Sequence, residues 1–261
     1  MFLAIDAGNS NVVFALFDPK TEKWTNQFRL ETKTELLISQ LTKKVPLYFL
    51  EHSISPSDIS EIGFSTVVPE VQGPIQEFCE KFFGKAAYQI GPKSYKSLPI
   101  STIRPKEIGT DLMCNVMAAW QKYQQALIIV DFGTALTFTV VDDNGKVLGV
   151  NIVPGLQTAI RSLFTSTSKL PEVPLKVPKS AIGKDTIHAI QAGILYGYTG
   201  LVQGMLETIR TEKDLPFKVI ATGGLSAILT TLEKDFEEID RYLTLNGIRW
   251  ITQANQKSNQ S

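Results

Sequence analysis

The sequence is poor in cysteine and histidine, which argues against the kinds of site that depend on them. Its 261 residues include two cysteines, Cys79 and Cys114, and two histidines. The cysteines form no Cys-x-x-Cys pair, and neither has a histidine at metal-ligand spacing, so no disulfide framework and no zinc site is indicated. We expect both thiols to be buried as small hydrophobic groups in a protein from a reducing compartment.

The chain also lacks net charge and long apolar runs. Its 26 lysines and arginines equal its 26 aspartates and glutamates, so no overall field attracts a polyanion or an acidic membrane surface. No 18 apolar residues run together, and no basic segment precedes an apolar stretch at the N-terminus, so neither a membrane span nor a signal peptide is indicated. We therefore expect a cytoplasmic protein without nucleic-acid or membrane partners.

Hydrophobic residues make up 43% of the chain and occur along its whole length, as in a globular protein. The first 18 residues read as strand, turn and strand. Helical spacing of apolar residues over 34–50 and 70–83 flanks an apolar run at 62–68 that reads as a buried strand. Alternating strands and helices predict an α/β sheet.

A second hairpin pattern begins at residue 126 and resembles the first. An offset of 125 residues superposes Asp6 on Asp131, Gly8 on Gly133 and Asp18 on Asp143. Internal repetition of a supersecondary unit indicates a duplicated architecture. The sequence therefore predicts two related α/β halves with a ligand cleft between them.

The residue types at the two turns suit a polyphosphate ligand. A glycine at a hairpin tip lets the main chain approach a phosphate closely, and Asn9, Ser10 and Thr134 add short hydrogen-bonding side chains. The aspartate before each tip offers a hard oxygen to a metal ion. A single Asp-x-Gly is ordinary turn chemistry, but the matched pair, together with Gly223 and Gly224 after a third strand, favours a nucleotide site.

Nine short motifs occur along the chain in a recognisable order. They are Asp-x-Gly-Asn-Ser at 6–10, Val-Val-Pro at 67–69, Gly-Thr-Asp at 109–111, Asp-x-Gly-Thr-Ala at 131–135, Pro-Gly at 154–155, Lys-Leu-Pro at 169–171, Gly-Lys-Asp-Thr at 183–186, Thr-Gly-Gly at 222–224 and Leu-Thr-Leu-Asn-Gly at 243–247. With this set, the chain resembles the type III pantothenate kinases of the acetate kinase/sugar kinase/Hsp70/actin superfamily. The resemblance covers nearly the whole chain.

The resemblance implies an α/β fold of two ribonuclease H-like (actin-like ATPase) domains that face a nucleotide cleft. The implied domains span residues 1–112 and 113–252, and a polar tail follows at 253–261. The implied activity is phosphorylation of pantothenate by ATP to 4'-phosphopantothenate, the first step of coenzyme A biosynthesis. The resemblance further implies Mg²⁺, a monovalent cation (K⁺ or NH4⁺) and a homodimer.

The same resemblance assigns roles to individual residues. Asp111 is implied as the general base, and Asp131 as a ligand of the monovalent cation. The implied substrate contacts are Gly109, Thr110, Asp111, Leu112 and Thr186. The predicted nucleotide contacts are Asp6, Ala7, Gly8, Asn9, Ser10, Asn11, Val12, Val13, Thr134, Gly223 and Gly224. A structural role for Asp111 is the alternative, because a carboxylate also stabilises the start of a helix.

The chain departs from the family pattern at several positions. Leu112 stands where the family usually has arginine and Leu136 where it has threonine, while Ala15, Val150 and Thr102 replace a glycine, a glycine and a tyrosine. An arginine that meets the substrate contributes about 1.5–3 kcal/mol. The departures keep two alternatives open: a nucleotide-binding regulatory relative without turnover, and a kinase of another small alcohol.

Overall fold

A computed structural model of the chain describes residues 1–226 and 228–258. Its strands are β1 (Phe2–Ala7), β2 (Asn11–Asp18), β3 (Lys23–Glu31), β4 (Glu61–Thr66), β5 (Tyr88–Gln89), β6 (Ser101–Thr102), β7 (Leu127–Phe132), β8 (Ala135–Val141), β9 (Lys146–Pro154), β10 (Lys218–Thr222) and β11 (Glu238–Ile239). Its α-helices are α1 (Thr34–Glu51), α2 (Gln72–Phe83), α3 (Thr110–Tyr123), α4 (Leu156–Ser166), α5 (Thr186–Glu212) and α6 (Leu243–Ser258).

The chain divides into two compact units. Unit 1 comprises residues 1–118 and the described residues from 243 on, and unit 2 comprises residues 119–242. The predicted boundary at residue 112 therefore falls inside α3. Helix α6, which the sequence grouped with the second half, belongs to unit 1, and it continues through most of the segment predicted as a polar tail. Residues 259–261 of that predicted tail lie outside the described residues.

The sheet of unit 1 has the strand order β3-β2-β1-β4-β5. Strand β1 is antiparallel to β2 and parallel to β4. One face of the sheet is apolar because Leu3 and Ile5 pack in a buried cluster with Leu41 and Phe49 of α1 and with Ile75 of α2. Burying such side chains contributes about 1.5–3 kcal/mol each, so this cluster fixes β1 at the centre of the unit.

Helix α6 packs against β1 and β4 of unit 1. The contact is close because position 63 has no side chain: a Cβ there would lie 2.8 Å from atoms of Ile248 and Phe2. A Cβ at Gly247 would likewise collide with the main chain of Cys114 in α3. Two glycines thus allow α6 to lie on both the sheet and α3.

The sheet of unit 2 repeats this arrangement with the order β11-β10-β7-β8-β9. Strand β7 is antiparallel to β8 and parallel to β10, as β1 is to β2 and β4. Val130, Phe132 and Phe138 face a buried cluster that includes Leu206 of α5. The predicted α/β class and the predicted duplication of the strand arrangement are confirmed.

The repeat is closer than the sequence comparison indicated, but with a different offset. Asp6 lies opposite Val13 in the first hairpin and Asp131 lies opposite Thr137 in the second, so the second turn is one residue shorter. The second strand of each hairpin has a register shift against the strand that follows it: between Leu16 and Phe17 where β2 pairs with β3, and between Val140 and Val141 where β8 pairs with β9. Beyond the turn the offset is therefore 124.

The offset of 124 changes which residue of the second hairpin corresponds to Asp18. Asp18 accepts a hydrogen bond from the backbone N–H of Lys20 (2.9 Å), and Asp142 accepts one from the N–H of Asn144 (2.9 Å). The counterpart of Asp18 is thus Asp142, and the pairing with Asp143 was wrong. A shortened turn shifts every later residue by one, which a comparison without gaps cannot detect.

Candidate active site

The turn between β1 and β2 is held by its own main chain and by Thr32. The N–H of Gly8 donates to Asn11 O (3.0 Å), the hydroxyl of Thr32 donates to Gly8 O (2.7 Å), and the N–H of Thr32 donates to Ser10 O (3.2 Å). A Cβ at position 8 would meet only Asn11 O, at an ordinary 3.7 Å. The fold therefore does not require glycine at position 8, which leaves space for a group from outside the chain.

The predicted nucleotide contacts of this turn differ in exposure. The side chains of Asn9, Ser10 and Asn11 are exposed. The side chains of Ala7 and Val12 are fully buried in the core. Contacts from Ala7 and Val12 can therefore come only from the main chain.

The base candidate Asp111 lies in the first turn of α3, next to the carboxyl ends of β1 and β4. Thr110 fixes the start of the helix because its hydroxyl donates to Thr66 O (3.0 Å) and shares a 2.8 Å hydrogen bond with Ser65 Oγ. Ser65 pairs with Asp6 in the parallel register of β4 and β1. The structure thus brings Asp6 and Asp111, which are 105 positions apart in the sequence, to one edge of the sheet.

The environment of Asp111 favours its neutral form. Burial raises the pKa of the carboxyl, against a smaller opposing effect of the Leu112 N–H, which donates to Oδ1 (2.8 Å). Burial also raises the pKa of the Cys114 thiol, and the charges of Asp6 and Asp111 add to that effect. Asp6 and Asp111 therefore both lie close enough to Cys114 to raise the pKa of its thiol. A carboxyl with a raised pKa at a sheet edge is typical of a general base.

The remaining predicted substrate residues differ in burial and in their contact with Asp111. A Cβ at Gly109 would collide with the Asp111 carboxylate, so glycine there lets the carboxylate occupy its position. Leu112 is buried, at 8% exposure, and its side chain packs as a core residue. Thr186 is exposed at the start of α5, where Asp185 caps the helix by accepting from His188 N–H (2.8 Å).

In unit 2, Asp131 occupies the position that Asp6 occupies in unit 1. It pairs with Thr137 of β8 on one side and with Thr222 of β10 on the other. Thr137 is 8% exposed, and its hydroxyl has no hydrogen-bond partner among the described residues. A carboxylate beside an unpaired buried hydroxyl is an oxygen-rich place that suits a hard cation.

The turn after β7 is held by two hydrogen bonds to the main-chain oxygen of Thr134. Thr134 O accepts from the N–H of Gly155 (2.9 Å) and from the hydroxyl of Thr158 (2.7 Å), while the Thr134 side chain is exposed. Glycine at position 223 has a conformational cause: its φ is +93°, and a Cβ would lie 2.6 Å from Asp131 Oδ1. The Gly223 conformation therefore accounts for that glycine without a nucleoside.

Sequence reasoning missed three residues that the structure places at these sites. Thr32 holds the turn after β1, and Ser65 positions the start of α3. Thr137 lies beside Asp131. Ser65 is the last but one residue of a buried strand, and polar side chains at the carboxyl ends of parallel strands often line sites. Thr32 and Thr137 belong to no distinct pattern, since threonine is common in strands. No cluster of three or more possible metal-ligating His, Cys, Asp or Glu side chains occurs in the described part of the chain.

Comparison with known proteins identifies the family of the chain. A family model described as type III pantothenate kinase matches residues 2–208. The chain belongs to the type III pantothenate kinase family. The type III pantothenate kinase of Geotalea uraniireducens is 40% identical over 99% of this chain and 100% of its own length. The predicted family and the predicted class of enzyme, a kinase, are confirmed.

Solved structures extend the comparison to the fold. A protein described as a Baf family transcriptional activator from Campylobacter jejuni is 21% identical and has a TM-score of 0.59 over 98% of this chain and 99% of its own. A protein from Sinorhizobium meliloti that is described as a 2-dehydro-3-deoxygalactonokinase is 10% identical, with a TM-score of 0.59 over 97% of this chain and 96% of its own. At these identities the likeness concerns the fold alone, which is the predicted actin-like ATPase and sugar kinase fold. Among the described residues, no helix is both long and apolar enough to cross a membrane.

Proposed function

We propose that the protein phosphorylates pantothenate with ATP to give 4'-phosphopantothenate, the first step of coenzyme A biosynthesis. The observation that carries this proposal is the meeting of Asp6 and Asp111 at the edge of β1 and β4, where Ser65 and Thr110 join the strand to the helix. Family membership supplies the substrate, since the relative with 40% identity is a type III pantothenate kinase over its full length.

In this proposal Asp111 is the general base. Its carboxylate accepts the proton of the pantothenate hydroxyl, the freed oxygen forms a bond to the γ-phosphorus, and the bond from that phosphorus to the ADP oxygen breaks. The raised pKa of Asp111 makes the carboxylate a stronger proton acceptor than an exposed aspartate. Phosphoryl transfer otherwise depends on positioning and on neutralising charge. Gly109, Thr110, Leu112 and Thr186 are the proposed further substrate contacts.

The nucleotide is proposed to contact the turn after β1, from Asp6 to Val13, and the exposed Thr134 after β7. Gly8 gives the phosphates access to main-chain N–H groups, because nothing in the chain occupies the place of its side chain. Gly223 and Gly224 remain proposed nucleoside contacts. Asp6 is the proposed oxygen ligand of magnesium or of its bound water.

A monovalent cation fits the residues around Asp131. The carboxylate and the unpaired hydroxyl of Thr137 provide two oxygens on one face of the sheet. Potassium or ammonium bound there would supply positive charge that offsets the charge of a phosphate. Asp131 and Thr137 are the residues proposed to hold it.

We further propose a cytoplasmic homodimer with the two ribonuclease H-like domains implied by the sequence. The two cysteines are buried and free, as expected in a reducing compartment. The dimer rests on family resemblance. Light scattering at micromolar concentration should give twice the monomer mass, and the monomer mass would contradict it.

A regulatory relative without turnover is the alternative function. It is favoured by Leu112, which is buried and offers no charge where the family usually has arginine. A coupled assay of ADP release decides between the two. Release that depends on pantothenate supports the kinase, whereas nucleotide binding without release under any pantothenate concentration supports the regulator.

A further inference from the structure

The segment that leads into α5 is attached to that helix by three of its side chains. Residues 167–185 form no helix or strand. Gln191 and Tyr196 donate hydrogen bonds to main-chain oxygens of the segment (2.9 and 3.0 Å), and the ring of His188 bonds to Ser180 O (2.8 Å). Loops that a rigid element holds in place often carry binding residues. The mechanism described above gives these bonds no role.

His188 is bonded to the last part of this segment at two points. Its ring nitrogen Nε2 donates to Ser180 O (2.8 Å), since a carbonyl oxygen can only accept. Its main-chain N–H donates to Asp185 Oδ1 (2.8 Å). One residue in the first turn of α5 therefore fixes both the beginning and the end of residues 180–185, which we call the α5 loop.

The α5 loop is also packed directly against the start of the helix. A Cβ at Gly183 would lie 2.4 Å from Ala189 Cα, so the close approach requires glycine. Within the loop, Ser180 Oγ accepts from the N–H of Ile182 (3.1 Å). Because the loop is bonded to the helix at its two ends and packed on it in the middle, its conformation is set by the fold.

Thr186 follows the α5 loop directly as the first residue of the helix. Its side chain is exposed, and it is a proposed contact of pantothenate. The main-chain N–H groups of a first helical turn have no partners within the helix, and helix ends open easily unless they are held. The bonds from His188 to the loop therefore keep the first turn closed around Thr186.

We propose that His188 is a positioning residue for Thr186: its ring, by holding Ser180, keeps the first turn of α5 in the conformation in which the Thr186 hydroxyl contacts pantothenate. A binding group that is fixed before the substrate arrives has less freedom to lose on binding. The imidazole acts through Thr186 and does not touch the substrate. The inference rests on the proposed function, because it gives Thr186 the role of a substrate contact.

The test compares three variants of the full-length protein. In His188→Ala, KM for pantothenate should rise about twofold to tenfold, the effect of one lost hydrogen bond, with little change in kcat or in KM for ATP. His188→Gln should stay close to the wild type, because its amide N–H can take the place of the Nε2 donor. Tyr196→Phe is the matched control, since it loses a bond to the same segment farther along the helix, and it should keep the wild-type KM for pantothenate.

A double-mutant cycle with Thr186→Val tests whether His188 acts through Thr186. Thr186→Val should itself raise KM for pantothenate. Adding His188→Ala should then raise it little further, because the effects of two residues that act through one contact do not add. Fully additive effects would overturn the inference and leave the proposed function intact, as would an unchanged KM for pantothenate in His188→Ala or no rescue by His188→Gln.

Thermal unfolding separates this role from a structural one. His188→Ala and Tyr196→Phe should both have slightly lower melting temperatures, because each loses one bond of similar length. The inference is overturned if KM for pantothenate rises equally in the two variants, since general loosening of the segment then explains the rise. A wild type that does not phosphorylate pantothenate overturns the proposed function and the inference together.

Discussion

Ser65 and Thr110 share a 2.8 Å hydrogen bond between their side-chain hydroxyls. The bond joins the end of β4 to the first residue of α3, and the next residue is Asp111. Because Ser65 pairs with Asp6 in register, one contact determines where the base candidate stands relative to the first hairpin. The position of Asp111 at the site depends on this junction.

Replacing Thr110 with valine should therefore reduce both stability and turnover. The change keeps the shape but removes the bonds to Ser65 and Thr66, which should cost about 1–3 kcal/mol of unfolding free energy. Turnover should fall about tenfold or more because Asp111 loses its fixed position. Denaturant unfolding and steady-state kinetics measure the two effects.

Thr42→Val is the control for that variant. Thr42 also donates to main-chain oxygens, but on the exposed side of α1. The free energy of unfolding of Thr42→Val should stay within about 0.5 kcal/mol of the wild-type value, and the variant should keep full turnover. Equal behaviour of the two variants would show that the Ser65 junction has no special role.

Gly8→Ala should weaken ATP binding with little change in stability, whereas Gly223→Ala should reduce stability. The place of a Cβ at Gly8 is open and φ is not positive, so stability should change by less than about 1 kcal/mol, while KM for ATP rises because the methyl group meets the phosphates. At Gly223, with φ of +93°, alanine should cost about 1–3 kcal/mol. Unchanged ATP binding in Gly8→Ala would contradict the proposed phosphate contact.

The pH dependence of turnover should reflect the raised pKa of Asp111. Turnover requires the charged carboxylate, so kcat/KM should rise with pH and its acid limb should lie above the ordinary aspartate value of 3.8. The same shift means that Asp111 favours folding in its neutral form and that this contribution is lost as pH rises through the raised pKa. An acid limb at or below the ordinary value would contradict the environment described.

Helix α6 should depend on Gly247 for its place in unit 1. A Cβ there collides with the main chain of Cys114, so Gly247→Ala should destabilise the protein by about 1–3 kcal/mol or more, as overpacking does. Gly204→Ala in α5 is the control, because nothing lies within 4 Å of its added Cβ, and alanine should stabilise that helix by about 0.5–1 kcal/mol. Urea unfolding compares them, and equal midpoints would contradict the close contact.

The sequence predicted those parts of the fold that have strong local patterns. Both hairpins and the helices over 34–50 and 70–83 agree with the structure because apolar spacing and turn residues act within a few positions. Strand β3 gave little signal, since as an edge strand it is mostly exposed and rich in polar residues. The membership of α6 in unit 1 depends on the fit of Gly63 and Gly247 to distant residues, which no local pattern expresses.

The residues of the candidate site likewise divide into those with a local sequence pattern and those placed by distant contacts. Asp6, Asp111 and Asp131 were found from motifs, whereas Ser65 and Thr137 owe their place to strand register. The one-residue difference between the turns was hidden because the matched residues Asp6 and Gly8, with Asp131 and Gly133, lie before the point at which the two turns differ in length.

ADP release by the wild type and by Asp111→Asn tests most directly whether Asp111 is the base of a pantothenate kinase, as we propose. Asparagine keeps the shape but cannot accept the proton, so pantothenate-dependent release should fall about a hundredfold to ten-thousandfold. ATP affinity should hardly change, and the melting temperature at neutral pH should stay the same or rise, because a buried charge is removed. Wild-type turnover in the folded variant, or no pantothenate-dependent release by the wild type, would contradict the account.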